Sequence, residues 1–133
     1  MKRSNHLSRL LPVAALAPLC LGGCWAVAVG AGSILIGQQV MDNNTYVAQL
    51  EAEPHLVWAT TKSSLSHMTT DPIHTDEDLR EAKGTYEGSK VVVQVETFDI
   101  GKSTIRVSAS KFGVAQGETA QKVLNRILKD LER

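Results

Sequence analysis

The sequence predicts an α+β fold: an antiparallel meander sheet with two helices packed on one face, in the order strand, helix, strands, helix. Three observations predict it. Two consecutive runs, Lys90 to Phe98 and Thr104 to Phe112, alternate side chains in the two-residue rhythm of half-buried strands, with Asp99-Ile100-Gly101-Lys102 as the turn between them. The last segment, Glu118 to Arg133, sets Val123, Leu124, Ile127, Leu128 and Leu131 on one helical stripe. A sheet with one apolar face must cover it, and a helix with one apolar stripe must bury it, so the two belong together.

Taken in chain order, residues 24–37 form a Gly/Ala-rich apolar tether, and Gln38 to Asn44 turns polar, with turn chemistry at Asp42-Asn43-Asn44. The folded domain is expected to begin there and to span 45–133. Thr45 to Ala52 alternates as a strand with Tyr46, Ala48, Leu50 and Ala52 on one face. Pro54 suits the first turn of a helix, where its missing N–H costs nothing, and the helix should run to about Met68 with Val57, Thr61, Leu65 and Met68 along one side. Thr69-Thr70-Asp71-Pro72 breaks it. A short extended piece follows around Ile73-His74-Thr75, then polar Asp76-Glu77-Asp78, then a strand from Leu79 to Glu87. Gly88-Ser89 reads as the tight turn before Lys90. In the last helix, Glu118 at the start and Lys129 and Arg133 near the end complement the helix dipole. No internal repeat interrupts this order.

Ahead of the domain lies a secretory address. Lys2, Arg3 and Arg9 make a basic n-region, Leu10 to Leu21 an apolar h-region, and Leu21-Gly22-Gly23-Cys24 places small residues just before a cysteine. This run resembles the lipobox of bacterial lipoprotein precursors. The resemblance implies removal of residues 1–23 by cleavage between Gly23 and Cys24, and acylation of Cys24 as the new N-terminus. The apolar run continues to Gly37, long enough for a membrane span of roughly twenty residues, so an uncleaved inner-membrane anchor is the competing reading. Leu21-Gly22-Gly23 immediately before the cysteine favours cleavage. In Gram-negative lipoproteins Asp after the cysteine favours inner-membrane retention; position 25 is Trp, so the resemblance implies the periplasmic face of the outer membrane.

Beyond the address, the chain resembles the DUF3568 lipoproteins, a bacterial family of unknown function. The resembling residues are the Ala/Gly/Val tract after Cys24, Thr45-Tyr46, Val57-Trp58-Ala59-Thr60, and Asp78-Leu79 through Ala82-Lys83-Gly84. Gly88 with Lys90-Val91, Thr104-Ile105-Arg106-Val107, Phe112-Gly113 and Val123-Leu124-Asn125-Arg126-Ile127 complete them. They are structural residues. The resemblance implies a lipid-anchored domain and transfers no catalytic residue.

Composition narrows the chemistry. Loss of Lys2, Arg3 and Arg9 with the signal turns 14 basic against 14 acidic residues into 11 against 14, and a mildly acidic domain lacks the basic stripe that nucleic acid requires. The 2 cysteines are Cys20 and Cys24. Cys20 leaves with the signal and Cys24 takes the lipid, so the mature chain forms no internal disulfide; their spacing is one residue too long for C-x-x-C. His55, His67 and His74 lack the i, i+4 spacing of a helical zinc pair and are expected at the surface. Asp76-Glu77-Asp78 with Glu81 lacks the alternating pattern of a calcium loop. Ser64 and Ser66 lie in no Gly-x-Ser-x-Gly elbow, and Gly30-Ala31-Gly32-Ser33 has no phosphate-loop lysine. Gly84 and Gly88 are expected as strand or turn glycines. Trp58 is either a core anchor or an exposed binding residue.

The expectation is therefore a non-enzymatic envelope lipoprotein without cofactor, apart from the covalent lipid on Cys24. Its partners would be membrane lipid, through that anchor, and another envelope protein. The alternative is a carrier or sensor holding a small apolar ligand between sheet and helices, which would show as underpacking around Val123, Leu124 and Ile127.

Overall fold

The computed structural model describes residues 35–42 and 44–133. Its elements run β1 (Leu35–Asp42), β2 (Thr45–Leu50), α1 (Pro54–Met68), β3 (His74–Asp76), β4 (Glu81–Tyr86), β5 (Ser89–Asp99), β6 (Lys102–Lys111), β7 (Val114–Ala115) and α2 (Gly117–Leu131). The strands form one antiparallel sheet in the order β1-β2-β6-β5-β4-β3, with β7 beside β6. The predicted α+β class is the observed one, with one addition at its front.

That addition is β1. Residues expected to belong to the tether pair instead with β2, from Leu35 opposite Leu50 to Asp42 opposite Thr45. The apolar start of this strand reads by composition as a continuation of the tether. Its place in the sheet depends on backbone pairing with β2, which local composition does not report. The domain therefore begins at or before Leu35, and the expected boundary at residue 45 is the middle of a hairpin.

The meander holds with small shifts. The β4–β5 turn is Glu87-Gly88, both at positive φ (51° and 76°), so it is a two-residue turn of the primed kind that matches strand twist. Ser89, expected in that turn, is buried at the start of β5 opposite Tyr86. Leu79 and Arg80 precede β4 in a turn, and Arg80 has φ 49°. Phe112, expected to end β6, lies with Gly113 in another positive-φ pair (51° and 75°) that folds β7 back.

Two-residue alternation sorts the sheet faces. Val91, Val93 and Val95 on β5 face the helices with Ile105, Val107 and Ala109 on β6, and with Ala48 and Leu50 on β2; all are buried. Against them α1 lays Val57, Trp58, Thr61 and Leu65, and α2 lays Ala120, Val123, Leu124 and Ile127. Both helices thus cover the same face. The other face carries Val47, Arg106 and Gln94 in one cross-strand row and Ser108 and Val92 in the next, all of them partly buried.

Candidate functional site

Between α1 and α2 lies a cleft of about 530 Å³ lined by Ala59, Thr60, Ser63, Ser64, His67, Arg126, Asp130 and Arg133. Each helix supplies one row, because residues three and four apart share a face. Ser64 donates its hydroxyl to Asp130 Oδ2 at 2.8 Å, and Arg126 Nε reaches the same oxygen at 3.1 Å. The Ser64 hydroxyl, and then Arg126, hold the Asp130 carboxyl below its ordinary range. Arg133 adds a longer ion pair at 3.9 Å.

This arrangement is a helix–helix tie. Ser64 points at a carboxylate whose basicity is lowered, and the nearby His67 is engaged through Nδ1 with the Ser63 carbonyl at 2.7 Å. Ser66 donates to the same carbonyl at 2.8 Å. A nucleophile needs a base within hydrogen-bond reach, and neither serine has a histidine as partner.

The acidic run Asp76-Glu77-Asp78 is occupied structurally. Asp76 Oδ1 accepts the N–H groups of Asp78 and Leu79, both at 3.0 Å, and so closes the turn into β4. Glu77 accepts Trp58 Nε1–H at 2.7 Å and Lys62 at 2.9 Å. The indole bond, followed by Lys62, lowers the Glu77 carboxyl below its ordinary range. Lys62 Nζ also stands 5.0 Å from the Trp58 ring centroid. Trp58 is 6% exposed, so of its two sequence readings the structure selects the core anchor.

His55, His67 and His74 are exposed on the first turn of α1, its last turn and β3. Among the described residues no group of three or more His, Cys, Asp or Glu side chains is placed to hold a metal ion. Gly84 and Gly88 are a strand and a turn glycine, as the sequence suggests. Gly23 and Cys24, the expected cleavage and lipidation residues, lie outside the described residues, as does the tract to Ile34. Among the described residues no helix is long and apolar enough to cross a membrane. Of the competing span Leu10 to Gly37, residues 35–37 are in β1.

Sequence reasoning missed the exposed apolar side chains at the sheet's ends. Phe112 is 96% exposed on its turn, and Val114, Met41 and Val40 are exposed toward the same end of the sheet. The corner is closed by the Asn44 carbonyl accepting Ala109 N–H at 3.1 Å, and β7 runs along the β6 edge beside it. The one sequence signal was Phe112-Gly113, a bulky residue followed by glycine at the end of a strand. No family model matches the chain, and no curated protein matches it either.

Proposed function

We propose that the chain is a lipid-anchored envelope lipoprotein, tethered by acylated Cys24, whose domain is a non-enzymatic interaction module facing the periplasm. The observation that carries the interaction reading is Phe112. Phe112 is 96% exposed and at positive φ, and both water contact with a large aromatic and a positive φ on a bulky residue cost free energy that burial against a partner would partly recover. Val114 beside it and Met41 on the terminal strand β1 extend the apolar corner to a strand edge, a surface suited to a protein partner. The anchor reading is supported by Leu21-Gly22-Gly23-Cys24 and by a folded domain that starts within eleven residues of Cys24.

Carriage of an apolar ligand would need space between sheet and helices. Val123, Leu124 and Ile127 are fully buried there with Val91, Val93, Ile105 and Val107, which supports docking over carriage.

The test is cross-linking of the natively lipidated protein in its own envelope, read by mass spectrometry, beside two variants. One stoichiometric partner is expected with the natural chain and lost with Phe112→Asn, which keeps the turn. Cys24→Ser is expected to remain uncut and unlipidated. Equal capture by the natural chain and Phe112→Asn removes the corner from the interaction, and normal processing of Cys24→Ser removes the anchor.

A further inference from the structure

The other end of the sheet carries its own apolar rim, and strand pairing defines it. Leu35 at the start of β1 is opposite Leu50 at the end of β2, Leu50 is opposite Ser103, and Ser103 is opposite Thr97 near the end of β5. The start of β1 and the β5–β6 turn therefore share one end. The first residues of α1 join them, since Ser103 donates its hydroxyl to the Ala52 carbonyl at 3.0 Å. So does the turn before β4, where Val95 N–H donates to the Arg80 carbonyl at 3.0 Å and Arg80 donates to Thr97 Oγ1 at 3.4 Å. Around this end Ile36, Leu56, Leu79 and Phe98 are about half exposed, and Ile100 at the tip of the turn is 95% exposed.

The chain from Cys24 joins the sheet at this same end. Residues 25–34 contain no charged side chain, and their one hydroxyl is Ser33. An apolar segment of that kind gains by staying with lipid and loses by crossing water. With Cys24 acylated as proposed, Leu35 is eleven residues from the anchor, while the Phe112 corner lies a strand length away from Leu35, roughly 30 Å.

We infer that the rim led by Ile100 and Phe98 at the β5–β6 turn seats in the interfacial layer of the bilayer that holds the Cys24 lipid. The inference rests on the proposed acylation of Cys24. A lipid surface fits because the apolar side chains ring the end of the sheet, with Leu79 and Ile100 on turns there. Glu51, Glu53 and Asp99 accompany Arg80 and Lys102 there, so the attraction is apolar and needs neither anionic lipid nor low salt. The strands then stand on the membrane and present the Phe112 corner outward.

The test reconstitutes the mature lipidated protein, beginning at acylated Cys24, in phosphatidylcholine vesicles, with a nitroxide attached through Ile100→Cys or, as reference, Phe112→Cys. Both positions are almost fully exposed, so the substitutions leave the core untouched. Lipid mass on Cys24 is checked first. Relative to position 112, the nitroxide at position 100 is expected to lose about tenfold in accessibility to a water-soluble nickel complex and to gain in accessibility to oxygen. Equal accessibility at the two positions, or greater protection at position 112, overturns the seat while leaving the anchor standing. Missing lipid mass is instead a failure of the anchor. The unlipidated chain is then co-sedimented with the same vesicles: binding that Ile100→Asp lowers about tenfold supports the rim, and absence of binding overturns it.

Discussion

Thr61 sits on the buried stripe of α1 with its side chain at zero exposure, and its Oγ1 has no hydrogen-bond partner. An unpartnered buried hydroxyl keeps its desolvation cost without recovering a bond. Thr61→Val, which keeps the branched shape, is expected to raise stability by about 1 kcal/mol; an unchanged or lower denaturation midpoint would show that the hydroxyl is satisfied. Glu77 makes the opposite case. Its carboxyl is held low by the Trp58 indole and then by Lys62, so its contribution is present above the unfolded carboxylate pKa and is lost as pH falls through the lower folded value. Glu77→Gln should therefore be less stable than the natural chain at pH 7, with the difference closing as pH falls below the ordinary carboxylate range. A difference that persists undiminished in acid would assign the loss to packing. In the sequence Glu77 was only one of three consecutive acids, because its partner lies nineteen residues back on α1.

At the scale of elements, α1 and β4 approach closely at one glycine. A methyl group on Gly84 would stand 2.8 Å from Thr69 Cγ2 and 3.3 Å from Ile73 Cγ2. Gly84→Ala is expected to cost about 1–3 kcal/mol through overpacking. Removing the opposing methyl with Thr69→Ser should recover most of that loss in the double variant; simple additivity in a double-mutant cycle would refute the contact. Helix limits were largely legible, since Pro54 marks the start of α1 and the stripe on α2 runs from Ala120 to Ile127 with Leu128 and Leu131 partly buried. Turn positions were less so. Glu87-Gly88 replaced Gly88-Ser89 because Ser89 is needed as a buried partner for Tyr86 in the ladder.

For the whole molecule, the two ends of the sheet divide the exposed apolar surface. Ile100 and Phe98 lie at the end where the chain from Cys24 arrives, and Phe112 and Val114 at the other. A protein standing on its anchor would offer the first end to lipid and the second to a partner. If Cys24 is acylated as proposed and the Gram-negative sorting rule applies, Trp25→Asp is expected to move the protein toward the inner membrane on membrane fractionation. An unchanged distribution would mean that position 25 does not sort this protein.

Local chemistry settled what the sequence by itself determined: α+β class, helix faces, most strands and which sheet face meets the helices. Periods of two and about 3.6 residues are properties of neighbours along the chain, and they survive without knowledge of the fold. Tertiary structure alone decided that β1 joins the sheet, that Trp58 is core and tied to Glu77, that Gly84 must remain small, and which exposed apolar residues share an end. Those depend on register between segments tens of residues apart. Such pairing is selected by the whole core at once and leaves no periodic trace in any one segment.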